Sequence, residues 1–280
     1  MIRQFWHSSR RPRPGASRRP PWPALVFLGL LALLCLLAGV LAPGDAGHMD
    51  YAAAAQPPGP AHLLGTDALG RDVLAMLLHG GRASLLIGLG AAALSAAIGS
   101  AYGCLAALCP AWLEELLLRG AELLLSLPGI LLAILLQAAL GPANIWTLCL
   151  VIGGTSWMEI AKIVRTEVRG LREREYILAA RSMGGGFFYL LFRHFAPAFF
   201  SSIAFQAVSG IGGAIGLEAT LSFLGIGLPV EAVSWGSLLQ ASERALLTEQ
   251  WWMIFIPGAV LVLCLLSFLR LADALRRPSQ

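Results

Sequence analysis

Few residues in this chain have the types and spacing that catalysis requires. The single lysine, Lys162, follows an alanine, whereas a phosphate-binding Walker A loop needs a glycine directly before its lysine. Neither a GxSxG nucleophile motif nor an HExxH zinc motif occurs. Ser209 lacks a glycine two residues earlier, and no histidine follows His194, which argues against an intramembrane serine protease. The sequence therefore predicts a non-catalytic conduit or scaffold.

Three acidic residues lie in or beside apolar runs: Glu122, Glu159 and Glu218. A lone charge at the centre of a bilayer costs roughly 2.5–3.5 kcal/mol, so each acid should face protein or water. Spacing predicts that Glu159 pairs with Lys162 and that Glu122 pairs with Arg119. For Glu218 two roles remain open, a hydrogen bond between packed helices and the lining of a solute path.

The sequence offers little support for a metal site or for cysteines in a disulfide or zinc framework. His48, His62 and His79 do not have the spacing of a ligand set. We therefore predict no metal site and no cofactor bound by this chain. The five cysteines form no CxxC pair and are predicted to pack as small apolar residues: Cys35, Cys104, Cys109, Cys149 and Cys264.

The most informative polar stretch is EREYILAARSMGGG, which starts at residue 173. Tyr176, Ala179, Ala180 and Met183 recur every three or four residues, so a helix would place them on one small, apolar face. The first glycine of the run that follows can adopt the left-handed conformation that ends a helix. Such a helix suits either a groove in another protein or the surface of lipid headgroups, and the residues alone leave both open.

Membrane helices must position these polar residues, because the composition is that of a membrane protein. The chain is 57% hydrophobic and 13% charged, with a mean hydropathy of +0.73, whereas soluble domains carry about 25% charged residues. A helix needs about 20 apolar residues to cross the hydrocarbon core. Five charge-free runs approach or exceed that length, and Gly141 divides the third into two: 24–42, 83–113, 123–158, 195–217 and 250–269. The sequence thus predicts an all-α protein with six transmembrane helices.

The basic residues indicate the orientation of these helices. Of the 20 lysines and arginines, 17 lie before the first run, between the second and third spans (Arg119), in the loop of about 162–194, or after the last run, and the exceptions are Arg71, Arg82 and Arg244. Cytoplasmic loops collect Lys and Arg, so both termini are predicted to be cytoplasmic. The net charge of +4 then reflects membrane topology, and no nucleic-acid partner is predicted.

The chain is predicted to consist of four parts. An Arg/Pro-rich cytoplasmic tail, 1–23, has affinity for membrane lipid because of its charge. An anchor helix follows at 24–42, whose apolar run is longer than the roughly 7–15 residues of a signal-peptide core. The remaining parts are an external segment, 43–82, and a five-helix core, 83–280, that contains the cytoplasmic loop of about 162–194.

The charged segment resembles the cytoplasmic loop, called the EAA loop, of bacterial ABC importer permeases. Ala179 and Ala180, Gly184 after three further residues, and a later Pro197 keep the spacing of that loop. In detail, EREYILAARSMG followed by FRHFAPAF is similar to the dipeptide/oligopeptide/nickel permease family, specifically to its C-type subunit.

Two further stretches are similar to the same family. These are HLLGTDALGRDVLAMLLHGGRASL at 62–85, and EATLSFLGIGLP with the later SWGSLL, within 218–239. The chain departs from the general loop motif where it has Leu178 instead of a glutamate, with Glu175 three residues earlier, and where it has His194 at an isoleucine position.

The resemblance implies the type I ABC importer permease fold in a bacterial inner membrane. It also implies partners: a homologous B-type permease, two ATPase subunits that bind ATP and Mg²⁺, and an extracytoplasmic solute-binding protein. The implied cargo is a di- or oligopeptide that is moved inward, with nickel or a metal–chelator complex as the alternative. A secondary transporter and a membrane scaffold are the competing classes.

By the same resemblance, the stretch from Glu175 to Gly184 is the coupling helix, which transmits closure of the ATPase pair to the membrane helices. The residues implied in this coupling are Glu175, Tyr176, Ala179, Ala180, Arg181, Gly184 and Pro197.

The external segment carries a second polar motif with turn-permissive glycines. Thr66 or Asp67 could cap a short helix, and Arg71 could pair with an acidic neighbour. A rigid elbow remains open beside a contact with the solute-binding protein or the second permease. The motif comprises Gly65, Thr66, Asp67, Gly70, Arg71 and Asp72.

Overall fold

The computed structural model describes residues 21–43, 47–229, 232–245 and 248–275, so most of the predicted tail lies outside the described residues. A 3-10 turn forms at Tyr51–Ala53 and a π-helical segment at Leu191–Phe195. Within the described ranges no β-strand forms, and the predicted all-α class is confirmed. The helices are α1 (Trp22–Leu36), α2 (Ala38–Leu41), α3 (Val73–Leu108), α4 (Ala111–Leu125), α5 (Gly129–Leu140), α6 (Ile145–Arg172), α7 (Glu175–Ser182), α8 (Phe187–Leu190), α9 (Ala196–Phe223), α10 (Trp235–Ala245) and α11 (Trp251–Leu275).

Three helices are each long and apolar enough to cross a membrane: α3, α6 and α11. Two bent pairs each qualify as one broken span, namely α4 with α5, bent by 91°, and Leu191–Phe200 with Ser202–Phe223, bent by 56°. The apolar helix α1 has 15 residues, and α2 continues it after a break at Leu37. The described helices are therefore compatible with six spans.

The third predicted span differs from the structure because of Pro128. The sequence suggested one helix from residue 123 to the break at Gly141. That break is present, and Gly141 has a φ of 86°, but α4 already ends at Leu125 and α5 begins at Gly129. Proline has no amide hydrogen and disfavours helical backbone in the residue before it. Pro128 therefore starts a helix in a new direction.

Side-chain caps fix where α3 and α6 begin. The Asp72 carboxylate accepts a hydrogen bond from the amide three residues later at 3.0 Å, so α3 begins at Val73 rather than at the predicted residue 83. At α6, the Asn144 side chain accepts the amide of Thr147 at 3.0 Å, and the Thr147 hydroxyl accepts the Asn144 amide at 2.8 Å. This reciprocal capping box satisfies amides that a helix start leaves unpaired.

Glycines allow α3 and α6 to pack closely against each other as parallel helices. A methyl group at Gly99 would lie 2.7 Å from the Cβ of Ile160, and one at Gly103 would lie 2.5 Å from the carbonyl oxygen of Ala161. A methyl group at Gly153 of α6 would lie 2.9 Å from a backbone oxygen of α3. These small residues let the two backbones approach. Both helices therefore start at the end of the bundle where the segment 62–72 lies, which we call the elbow end. They finish at the opposite end, which we call the α7 end because α7 lies there.

An arginine attaches α1 to this pair of helices. Arg82 of α3 donates hydrogen bonds from Nε to the carbonyl oxygen of Cys35 and from Nη2 to that of Leu36, both at 2.6 Å. These carbonyls lie at the C-terminal end of α1, where a positive charge is favourable. Arg82, an exception to the charge distribution that indicated the orientation, therefore has a structural partner.

Candidate functional site

The predicted coupling segment forms the short helix α7, which follows α6 directly at one end of the bundle. Ile177 and Ala180 are only 2% and 7% exposed. They belong to one apolar cluster with Val164 and Val168 of α6 and with Phe195, which precedes α9. The cluster therefore connects α7 to two long helices of the bundle.

The predicted apolar face of this helix is partly wrong. The sequence grouped Ala180 with Tyr176, Ala179 and Met183 on one apolar face and did not include Ile177 in it. In the structure Tyr176, Ala179 and Met183 are exposed, whereas Ala180 faces the protein together with Ile177. Burying an isoleucine contributes about 1.5–3 kcal/mol, so Ile177 sets the rotation of this short helix.

The end of α7 is closed by a Schellman motif, which explains two of the three consecutive glycines. Gly184 has a φ of 87°, and its amide donates to the carbonyl of Arg181 at 3.0 Å. The amide of Gly185 donates to the carbonyl of Ala180 at 3.0 Å, and a methyl group at Gly185 would lie 2.7 Å from that oxygen. These are the two bonds of the motif. At Gly186 a methyl group would meet nothing within 4 Å, and nothing in the structure explains this glycine.

The exposed residues of α7 and its end form a surface that we call the coupling surface. Its acid lies in the first helical turn and its arginine in the last, an arrangement that complements the helix dipole. Pro197 lies apart from it, in the first turn of α9, where proline is tolerated. The coupling surface consists of Glu175, Tyr176, Ala179, Arg181 and Gly184.

An aromatic cluster supports one side of the coupling surface. The ring of Tyr176 lies 5.9 Å from that of His194, and the ring of Tyr189 lies 5.6 Å from the same histidine. Within the described residues the Nε2 atom of His194 is buried without a hydrogen-bond partner. His194 therefore contributes ring contacts to the orientation of Tyr176.

A cluster of charges holds the end of α6 that leads into α7. Glu114 of α4 accepts hydrogen bonds from Arg165 at Nε, 2.7 Å away, and from Arg169 at Nη1, 3.0 Å away. Arg172 donates to the carbonyl of Ala107 at 3.3 Å. Sequence reasoning missed Glu114, because its partners lie about fifty residues later and no local spacing indicates them.

The ion pairs that the sequence predicted for Glu122 and Glu159 are both wrong. Glu122 forms its ion pair with Lys162, at 3.6 Å, rather than with Arg119, and Arg119 pairs with Glu115 at 2.6 Å. Glu159 instead accepts a hydrogen bond from the side-chain amide of a residue in α9 at 3.2 Å. The spacing of four residues gives Glu115 and Arg119 a shared helix face, whereas the packing of α4 against α6 brings Lys162 to Glu122.

The external motif forms a compact elbow before α3. Asp67 accepts hydrogen bonds from the Arg71 side chain at 2.7 Å and from the Arg71 amide at 2.8 Å, and both side chains are buried. Gly65 and Gly70 have φ values of 78° and 77°, in the left-handed region that favours glycine. The pairing of Arg71 with an acidic neighbour is thus present.

The other polar residues of the elbow are also satisfied internally. Thr66 is fully buried, donates to a backbone carbonyl at 2.5 Å and accepts the amide of Gln56 at 2.8 Å. Trp252 of α11 donates to the Thr66 carbonyl at 3.1 Å. The expectation that Thr66 or Asp67 caps a helix is wrong, because Asp72 caps α3. The geometry is that of a rigid elbow, and a contact with another protein stays a prediction.

Glu218 is completely buried and joins three elements of the elbow end. Its carboxylate accepts hydrogen bonds from Ser222 at 2.8 Å, from Ser234 before α10 at 2.7 Å, and from Ser84 of α3 at 3.3 Å. Such bonds compensate the cost of burying a polar group. The geometry is that of a contact between packed helices, and a role in a solute path stays a prediction.

The described residues offer no cluster of three or more His, Cys, Asp or Glu side chains that could hold a metal ion. All five cysteines are free, and four of them are buried. The structure therefore combines apolar helices, buried polar contacts that fix their packing, and one exposed short helix.

These features define a class, the helical membrane proteins with several spans. A family model described as "binding-protein-dependent transport system inner membrane component" matches residues 85–278, and the chain belongs to this family. It is thus a membrane component of a binding-protein-dependent transport system.

Individual relatives are similar over most of their length. A protein of Brucella suis biovar 1 (strain 1330), named as a peptide permease, is 38% identical over 90% of this chain and 85% of its own. The oligopeptide transport system permease protein OppC of Bacillus subtilis (strain 168) is 32% identical over 90% of this chain and 82% of its own. A second Brucella suis protein, named as a peptide transport system permease, is 37% identical over 88% of this chain and 84% of its own.

Proposed function

We propose that this chain is the permease subunit of an ATP-binding-cassette importer that moves di- or oligopeptides inward. The names of the similar proteins refer to peptides or oligopeptides, which supports this cargo over nickel. Selection of the peptide rests on a separate solute-binding protein, and ATP with Mg²⁺ binds to partner ATPase subunits.

The observation that carries this proposal is the two-sided construction of α7. Its outer side is the exposed coupling surface, and its inner side places Ile177 and Ala180 in one apolar cluster with α6 and the start of α9. A push on the outer side therefore moves two membrane helices. Transport of this kind is a rigid-body rearrangement that a partner's nucleotide state drives.

The proposed assembly contains this chain, a homologous B-type permease, two ATPase subunits and a solute-binding protein. The ATPase pair docks at the α7 end, which places α7 and both termini in the cytoplasm of a bacterium. The elbow end then faces the solute-binding protein.

Reconstitution tests the proposal directly. Proteoliposomes with the whole complex and ATP on the ATPase side are supplied with the solute-binding protein and a mixture of labelled peptides, and radioactive nickel is offered in parallel. We expect peptide accumulation that requires ATP and this chain. Accumulation of nickel alone would overturn the cargo, uptake without the ATPase subunits would indicate a secondary transporter, and full uptake without this chain would indicate a scaffold.

A further inference from the structure

A cavity of about 280 Å³ lies between α3, α6 and α9. Ligand pockets have volumes of about 300 Å³ or more, so a cavity of this size holds a small molecule or one end of a longer one. Packing does not require its glycines: a methyl group at Gly213 would meet nothing within 4 Å, and one at Gly210 would only touch Ala92 at 3.9 Å. Its walls are formed largely by small residues: Ala91, Ala92, Ala207, Gly210, Gly213 and Ala214.

Two polar side chains at this cavity, Glu159 and Ser95, have unused hydrogen-bonding capacity. Glu159 is exposed, is one of the residues that line the cavity, and accepts a hydrogen bond from Gln206 at 3.2 Å. Ser95 is 3% exposed, and its hydroxyl has no hydrogen-bond partner among the described residues. A buried polar group without a partner is unusual in proteins. The wall therefore combines an acceptor carboxylate with a buried hydroxyl that has no partner among the described residues.

The charged lining of the cavity is negative. Glu159 is its acid, and no lysine, arginine or histidine lines it. Lys162, the cation expected beside Glu159, lies 3.6 Å from Glu122 instead. A carboxylate inside a span is costly unless it meets protein, water or an opposite charge. The neutral amide of Gln206 supplies one hydrogen bond but no charge.

We propose that this cavity, which we call the Glu159 cleft, is a solute-contact site of the transport path and binds a protonated primary amine. The amine can donate to Glu159 and to the hydroxyl of Ser95, because an ammonium group has three hydrogens to donate. One carboxylate and hydroxyls do not form the nitrogen- or sulfur-rich ligand set that nickel prefers. The site rests on the proposed transport function and names the part of the solute that this chain recognises.

Thiol labelling of the assembled complex tests the cleft without reference to the cargo. Gly213→Cys is treated with methanethiosulfonate reagents of equal size that carry an ammonium or a sulfonate, and labelling is measured above that of the wild-type chain. Because a thiolate itself favours a cation, each rate is divided by that of the same reagent with a small free thiol. We then expect the cationic reagent to react about fivefold faster, as an ion pair of roughly 1 kcal/mol in contact with water allows. Addition of Glu159→Gln should remove this preference.

The matched control is Glu167→Gln, the same change on the same helix. Glu167 is exposed and accepts a hydrogen bond from Ser202 at 3.0 Å, outside the cleft, so the charge preference at Gly213→Cys should persist. Equal rates for both reagents, or an equal effect of the two glutamine variants, would overturn the proposal. Labelling in the isolated chain but not in the complex would also overturn it and would show that the second permease covers the cleft.

Transport provides the second arm of the test. In the reconstituted complex, Glu159→Gln should raise the KM for a peptide with a free amino terminus about fivefold, again about 1 kcal/mol, with an unchanged amount of assembled complex. An unchanged KM would contradict the proposal. If the wild-type complex imports no peptide but the labelling still depends on Glu159, the proposed cargo is wrong while the cleft stands.

Discussion

The amide of Gly185 lies 3.0 Å from the carbonyl oxygen of Ala180, and the hydrogen bond between them closes α7. Because Ala180 is held in the apolar cluster under α7, this bond ties the exit of the chain to the rotation of the helix. The consecutive glycines therefore have different roles. Gly184 supplies the left-handed turn, Gly185 permits the close approach, and Gly186 does neither.

Alanine substitution should separate these three positions. Gly184→Ala places a side chain in left-handed backbone, which costs about 1–2 kcal/mol, and Gly185→Ala brings a methyl group against the Ala180 oxygen. Both should lower ATP-dependent uptake severalfold, whereas Gly186→Ala should keep it within the error of the assay. Uptake by proteoliposomes at equal amounts of complex is the measurement. An equal loss in all three variants would contradict the assigned roles.

The adjacent alanines of α7 should respond differently to a bulky side chain. Ala180→Trp overpacks the cluster beneath the helix, a change that costs about 1–3 kcal/mol, so the Tm of the purified chain should fall. Ala179→Trp enlarges only the coupling surface, so the Tm should hold while co-purification of the ATPase subunits is lost. Retention of the ATPase subunits by Ala179→Trp would show that they do not dock on this surface.

Glu114 should contribute more stability than the acid beside it. Glu114→Gln removes the charge that holds Arg165 and Arg169, and should cost roughly 1.5 kcal/mol, the lower range for hydrogen bonds to charged groups, since Arg169 is half exposed. Glu115→Gln breaks an exposed pair with Arg119 and should cost less than about 0.5 kcal/mol. Thermal unfolding in detergent compares the two, and equal losses would mean that Glu114 holds no more than a surface pair.

Two substitutions at Glu218 distinguish packing from a role in transport. Glu218→Ala leaves three buried serine hydroxyls without their acceptor and should destabilise the chain by roughly 1–3 kcal/mol. Glu218→Gln keeps one acceptor oxygen, so the unfolding temperature should fall less and uptake should follow the amount of folded protein. A loss of uptake in Glu218→Gln at an unchanged unfolding temperature would place the carboxylate in the solute path.

Features that depend on neighbouring residues were predictable from the sequence. The left-handed Gly184, the pairing of Arg71 with an acid and the break at Gly141 each involve residues only a few positions apart. The apolar runs likewise indicated the all-α class. Each run is long enough for a helix to cross the hydrocarbon core, and a helix satisfies its own backbone hydrogen bonds there.

Contacts between distant segments were not predictable in the same way. Lys162 meets Glu122 because α4 packs against α6 before the chain bends at Pro128 into α5. Ala180 faces inward because α6 and Phe195 together form the apolar cluster against which it packs. Helical periodicity shows which residues share a face, but the neighbouring helices decide which face is buried.

The hydrogen bonds from Arg82 to the end of α1 also bear on how the chain enters the membrane. During synthesis α1 leaves the ribosome before α3, so the carbonyls of Cys35 and Leu36 are already in place when Arg82 reaches the bilayer. A chain that lost its first helix would insert α3 with an uncompensated guanidinium. We therefore expect α1 to aid the insertion of α3, and removal of α1 should lower the yield of membrane-inserted protein even where the remaining helices are intact.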